Sequence, residues 1–164
     1  MAAKSYRVLG SDIGLTRYSG VPSAVPLEAA DSWGSLDLRV VPGGKGGLRQ
    51  RGEVRDLGPV SGRENLAQAL VLRLLTGQGT LAPLGHPDYG SRLTELIGRP
   101  NDAPTRNLAR LFTVQALRQE PRVADVLELA VETVPSQPGV IRIGFSVLPM
   151  DDDQPLALSL EVNL

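Results

Sequence analysis

The chain contains no cysteine and a single histidine, His86. The first absence removes disulfides, thiolate catalysis and thiolate metal sites, and it fits folding in a reducing cytoplasm. The second removes a multi-histidine metal centre. Aromatic residues are 4% of the chain. The core therefore has to be built from Leu, Val, Ile and Ala, and almost no aromatic surface is left to bind a sugar. Charge of one sign is missing too. Seventeen Lys and Arg face 18 Asp and Glu, a net charge of −1, which leaves no overall field to hold nucleic acid or an anionic membrane. No apolar run approaches the ~18 residues of a membrane span. The start, MAAKSYRVLG, lacks the apolar stretch of a signal peptide.

Hydrophobic residues make up 41% of 164, enough for one packed domain with an arm. The arm is expected over 1–60. YRVLGSDIGL has room for a short strand, and Leu36, Leu38 and Val40 alternate with Asp37 and Arg39 as a strand does. VPGGKGGLRQRG reads as a flexible connection. Its Lys45 is followed by Gly46 with no Ser or Thr, so the glycines do not make a phosphate loop. The local basic run Lys45, Arg49, Arg51 and Arg55 is interrupted by Glu53 and reads as a solvated loop or strand edge.

The core domain is expected over 61–164. SGRE at Ser61 to Glu64 has the form of a capping box. Behind it Leu66, Leu70 and Leu74, flanked by Ala67, Val71 and Leu75, predict an amphipathic helix that Gly77 and Gly79 terminate. After a Pro/Gly-rich loop, Ser91 is placed to cap a short helix carrying Leu93, Leu96 and Ile97 on one side. A third helix is expected from Asp102–Thr105, with Pro104 in its first turn, to Pro121. The period then changes to two. Leu127, Leu129 and Val131, then Ile141, Ile143, Phe145 and Val147, then Leu156, Leu158, Leu160 and Val162 predict three antiparallel strands with one apolar face. The class is α+β: about three helices on a sheet of three or more antiparallel strands, with an N-terminal arm. If the last strand lies at an edge, it offers unpaired backbone groups to another chain, unless the arm covers it.

Catalytic constellations are weak. His86 lies in GHPDYG with no Gly-x-Ser-x-Gly elbow beside it. Asp88, Glu95 and Glu120 are the carboxylates near structured elements, and nothing in their spacing sets two at a glycosidase distance. Asp151 to Asp153 lack calcium-loop spacing and read as a solvated turn. Neither a cofactor nor a metal site is expected. Glu120-Pro121-Arg122, at the end of the third helix, is different. A carboxylate there opposes the helix dipole and needs a cation, either internal (Arg118 or Arg122) or on another protein.

SGRENLAQALVLRLLTGQGTLAPLGHPDYGSRLTELIG, followed by LRQEPRV and three alternating strands, resembles the GPW family of baseplate wedge proteins of contractile tails. The likeness spans roughly 60–164 and rests on Glu64-Asn65-Leu66, Arg73-Leu74-Leu75-Thr76, Tyr89-Gly90-Ser91 and Glu120-Pro121-Arg122 in that order. The resemblance implies a non-enzymatic structural part of a phage tail, type VI secretion or extracellular injection baseplate. Six copies around the tail axis would clamp the core bundle of larger wedge subunits. Glu120, Pro121 and Arg122 would be the contact with that bundle. The sheet edge carrying Leu156, Leu158, Leu160 and Val162 would exchange strands with the sheath protein, with central hub or spike proteins as further neighbours. The protein would be cytoplasmic during assembly and then part of the particle. The alternative is a cell-wall glycan hydrolase, since some members of the family carry a lysozyme label.

Overall fold

The computed structural model describes residues 9–15, 40–42, 55–150 and 152–164. The strand expected over 36–40 is seen only from Val40, and Leu36, Leu38, Lys45, Arg49, Arg51 and Asp151 lie outside the described residues. In chain order the elements are β1 (Ser11–Ile13), β2 (Val40–Pro42), β3 (Arg55–Leu57), β4 (Pro59–Ser61), α1 (Gly62–Leu75), a 3-10 turn at Ala82–Leu84, another at Leu93–Leu96, α2 (Ala103–Arg118), β5 (Val123–Val134), β6 (Gln137–Pro149) and β7 (Leu156–Asn163). The class is mixed α and β, with two α-helices among the elements of the described residues where about three were expected. The segment after Ser91 closes as a 3-10 turn that ends where Ile97 takes an extended conformation, and Gly98 at φ 86° follows.

α1 buries Leu66, Leu70, Leu74, Ala67 and Val71 as its pattern requires. Its ends differ from expectation. Ser61 is the N-cap residue, but its side chain makes no capping hydrogen bond. Instead the chain enters through Gly62 at φ 62°, whose N–H donates to the carbonyl of Gly10, tying the helix start to β1. At the other end no glycine terminates the helix. Thr76 takes an extended conformation, and both its N–H and its hydroxyl donate to the carbonyl of Leu72. α2 begins as predicted: the Asp102 carboxylate accepts from the Thr105 N–H at 2.8 Å, with proline in the first turn.

β5, β6 and β7 form an antiparallel meander in that spatial order. Ile141, Ile143, Phe145 and Val147 from β6 and Leu156, Leu160 and Val162 from β7 enter one apolar core with α1 and α2, and Leu158 packs partly buried against it. β5 departs from its simple alternation. Its register slips between Val126 and Glu128, so Leu127 is the extra residue of a bulge and is 47% exposed, while Val126 and Leu129 turn inward. Ile97 also leaves its predicted face and is exposed, whereas Leu93 and Leu96 are buried. Nor is Leu111 of α2 part of the buried stripe that holds Phe112, Ala116 and Leu117.

Two further pairs are short: β1 with β4, and β2 with β3. The described part of the arm is bound into the core. Leu9 is fully buried, and the Asn65 side chain donates to its carbonyl at 2.7 Å. Gln68 donates to the Ile13 carbonyl and accepts from the Leu15 N–H, so one amide side chain completes a strand edge.

The close approach at Gly90 joins the end of α1 to the central loop. Ser91 donates to the carbonyls of Leu74 and Thr76, through its hydroxyl and its N–H respectively, and its hydroxyl accepts from the Leu93 N–H. Gly90 sits at φ 107°, and a Cβ there would lie 2.6 Å from the Thr76 carbonyl oxygen. Gly90→Ala is expected to destabilise the fold by more than about 2 kcal/mol, combining a left-handed backbone with a backbone clash. A melt or urea titration checks it; an unchanged midpoint contradicts the packing described here.

Candidate functional site

The corner at Glu120-Pro121-Arg122 is built by the end of α2 and the start of β5. The Glu120 N–H donates to the Leu117 carbonyl, continuing the last turn. The Val123 N–H donates back to the Glu120 carbonyl at 3.0 Å, closing a four-residue turn with Pro121 at its second position. Proline's fixed φ suits that position, and its missing N–H is not needed there. The Met150 N–H then donates to the Arg122 carbonyl, and the β5–β6 pairing follows.

The carboxylate of Glu120 points inward. Glu120 is 5% exposed. Its Oε1 accepts from Arg122 Nε at 2.6 Å, and its Oε2 accepts from Arg73 Nη2 at 3.3 Å. Arg122 also donates through Nη1 to the Leu9 carbonyl at 3.1 Å. Four segments therefore meet: α1 through Arg73, the end of α2 through Glu120, the start of β5 through Arg122, and the arm through Leu9. The internal cations are Arg122 and Arg73; Arg118, the other candidate, points to solvent as an exposed residue. Burial by itself pushes the Glu120 carboxyl up, but the Arg122 hydrogen bond and the charges of Arg122 and Arg73 outweigh it and hold the group below the usual carboxylate range.

Arg73 was not legible as a site residue in advance, and neither were Asn65 and Gln68. All three are buried polar residues of α1. Asn65 and Gln68, at i and i+3, share one flank of the helix, whereas Arg73 stands about 140° round from Gln68 at the border of the leucine stripe, so no single periodicity marked the three. The guanidinium of Arg73 stacks 4.5 Å from the ring centre of Tyr89. Burial first, and Glu120 among the nearby charges, raise the Tyr89 phenol, with Arg73 and Arg122 opposing.

The other candidates disperse. His86 and Asp88 are exposed on the loop that leads to Tyr89. Glu95 forms a two-pronged pair with Arg92 at 2.8 Å, and that hydrogen bond lowers its pKa. Asp152 accepts from Arg63 and from the Gln154 N–H, so it fixes a turn against α1. Among the described residues no group of three His, Cys, Asp or Glu is placed to hold a metal ion, and no helix is long and apolar enough to cross a membrane. Glu120 and Glu95, both lowered and both held by arginines, are poor general acids, because that role needs a carboxyl whose pKa is raised.

The second candidate region is the β7 edge. Its register with β6 runs unbroken from Val140↔Asn163 to Val147↔Leu156. The Leu164 N–H donates to the Gly139 carbonyl at 2.8 Å, continuing that register. Because backbone groups alternate along an antiparallel ladder, Leu156, Leu158, Leu160 and Val162 aim theirs at β6. Ala157, Ser159, Glu161 and Asn163 then aim theirs away from the sheet, and among the described residues no strand pairs with them. The opposite edge, β5, is broken by three register shifts, a feature that blunts an edge.

No family model matches the chain, and no curated protein matches it. Among solved structures, the chain is similar to a Geobacter sulfurreducens protein named "putative tail lysozyme", with a TM-score of 0.53 and 20% identity over 62% of this chain and 89% of that one. At that identity the likeness is one of fold.

Reversing the charge balance at the corner gives a direct check of its role. Glu120→Ala leaves Arg73 buried against no carboxylate and is expected to cost about 3–5 kcal/mol, with Glu120→Gln milder because an acceptor oxygen remains. The folded pKa of Glu120 lies below its unfolded value. Its contribution is therefore present above the unfolded pKa and is lost as pH falls through the lower, folded one. Stability against pH, measured for wild type and Glu120→Gln, should show the wild-type advantage shrinking on acidification; parallel curves would contradict the assignment.

Proposed function

We propose that this protein is a structural component of the baseplate of a contractile tail or injection particle, of the GPW kind, and acts by binding other chains rather than by catalysis. The observation that carries the reading is the β7 edge, which is regular, unpaired among the described residues, and backed by core side chains that hold it straight. Such an edge accepts a strand from a partner. In this reading the partner strand belongs to the sheath protein and pairs with the outward backbone groups of Ala157, Ser159, Glu161 and Asn163, whereas Leu156, Leu158, Leu160 and Val162, expected to carry the exchange, hydrogen-bond to β6 and hold the edge against the core. The likeness in fold to a structure named "putative tail lysozyme" supports the setting.

The Glu120-Pro121-Arg122 corner is the proposed contact with the core bundle of the larger wedge subunits. The geometry assigns the three residues different duties within that proposal. Glu120 is consumed internally and aims Arg122, while exposed Pro121 and the quarter-exposed Arg122 side chain face outward. Six copies around a tail axis, assembled in the cytoplasm and retained in the particle, belong to the same reading.

The competing reading is a glycan hydrolase, favoured by the lysozyme in the name of the similar structure. A peptidoglycan zymogram separates the two: no cleared band is expected. A band that disappears in Asp88→Asn would support the hydrolase instead.

Co-expression with the wedge and sheath proteins encoded beside this chain tests the assembly role. Ser159→Pro removes one outward-facing N–H and no hydrogen bond to β6, so the variant should fold with a melting temperature within a few degrees of wild type yet fail to capture sheath protein. Arg122→Gln is expected to reduce wedge capture about tenfold or more. Full capture by both variants, with the fold intact, would sink the proposal.

A further inference from the structure

The guanidinium of Arg73 is under-used. Its side chain is only 9% exposed. Among the described residues it makes one hydrogen bond, the 3.3 Å contact to Glu120, and its Nε is buried with no acceptor among them. A guanidinium carries five N–H donors, and buried donors normally find partners. Glu120 meets Arg73 through Oε2 alone and at long range, while its Oε1 is held by Arg122 Nε at 2.6 Å. Two arginines thus share one carboxylate inside the protein.

Arg73 reaches the outside at a cleft of about 480 Å³, lined also by His86, Asp88, Tyr89 and Gln119. Tyr89 covers the face of the guanidinium, leaving its edge for a planar acceptor. Gln119 is shared with a second cleft of about 470 Å³, lined by Arg92, Arg118 and Phe112 among others. Among the described residues along both linings the carboxylate is that of Asp88, and it forms no ion pair among them. Both clefts flank Gln119, directly before the Glu120-Pro121-Arg122 corner. Arg92 is paired with Glu95, so the cations beside the corner that no carboxylate fully balances among the described residues are the exposed Arg118 and the incompletely bonded guanidinium of Arg73 at the cleft floor.

We propose that the cleft over Arg73 receives an Asp or Glu side chain of the partner protein that docks at the corner. The incoming carboxylate supplies the acceptors that Arg73 lacks and balances the second internal arginine. This rests on the partner-binding reading given above and adds the chemistry of the partner: an acidic residue adjacent to the segment that meets Pro121 and Arg122. Arg73 is then a contact whose burial makes it selective, since a neutral amide cannot offset the unbalanced charge.

The test uses the isotope-labelled full chain and follows the Nε–H resonance of Arg73, assigned by its loss in Arg73→Lys. The probes are N-acetyl-glutamate N-methylamide and, as the neutral control, N-acetyl-glutamine N-methylamide. A saturable shift with the acid in the millimolar range, absent with the amide and abolished by Gln119→Glu, is the expected result. Gln119 is exposed, so that variant should fold. No saturable shift, or equal shifts with both probes, overturns the proposal. So does a large displacement of the resonance in Asp88→Asn without probe, which would show the chain's own Asp88 occupying the cleft. Capture by the neighbouring wedge protein distinguishes the two levels. If Gln119→Glu abolishes the shift but capture persists, the cleft is not the partner contact and the assembly reading stands. If the shift occurs but wild type captures nothing, the carboxylate site stands and the assembly reading fails.

Discussion

The buried carboxylate of Glu120 is the point on which the arrangement of this protein depends. Removing an ion from water is expensive, so a buried carboxylate persists only where cations are brought to it. Here they arrive from elements far apart in sequence, Arg73 on α1 and Arg122 at the start of β5. Arg122 then spends another donor on the Leu9 carbonyl, which Asn65 also engages. One desolvated charge thereby sets the positions of both helices, the first sheet strand and the arm. The same requirement explains why the corner projects its proline and the flank of an arginine while its acid stays hidden.

The sheet has a comparable asymmetry. β5 and β7 are both edge strands, but they are finished differently. β5 carries three irregularities and the solvent-facing Leu127, so its backbone groups do not present an even row. β7 keeps a continuous register and packs Leu156, Leu160 and Val162 into the core. A partner strand meets a straight template on one side only. Across β6 and β7, Arg142 holds Glu161 at 2.6 Å, bracing the strand whose other side has no pairing strand among the described residues.

The fold likeness to a tail-associated structure and the geometry of these two regions bear on function in different ways. The first gives a fold and no residue, because at 20% identity it speaks to fold alone. The second gives residues and no partner. They are complementary in the proposed assembly role, where a charged, partly hidden corner and an edge unpaired among the described residues lie at different parts of the fold.

Periodicity by itself determined the two α-helices, the three long strands and most of the core. Leu66, Leu70, Leu74, Ile141, Ile143, Leu160 and Val162 are buried where a period of 3.6 or 2 put them, since apolar burial depends on which face a residue occupies. The helix ends were less legible: Ser61 and Gly77 carried the right residue types, yet Gly62, Gly10 and Thr76 perform those tasks. The bulge at Leu127 was invisible because a one-residue slip leaves no mark in composition. At the corner, sequence raised the question of a carboxylate at the wrong end of a helix dipole, and chain order offered Arg118 or Arg122 as its answer. Only the tertiary structure added Arg73, 47 residues upstream. Charge pairing acts through space at a few ångströms, and the separation along the chain says nothing about it until the elements are packed.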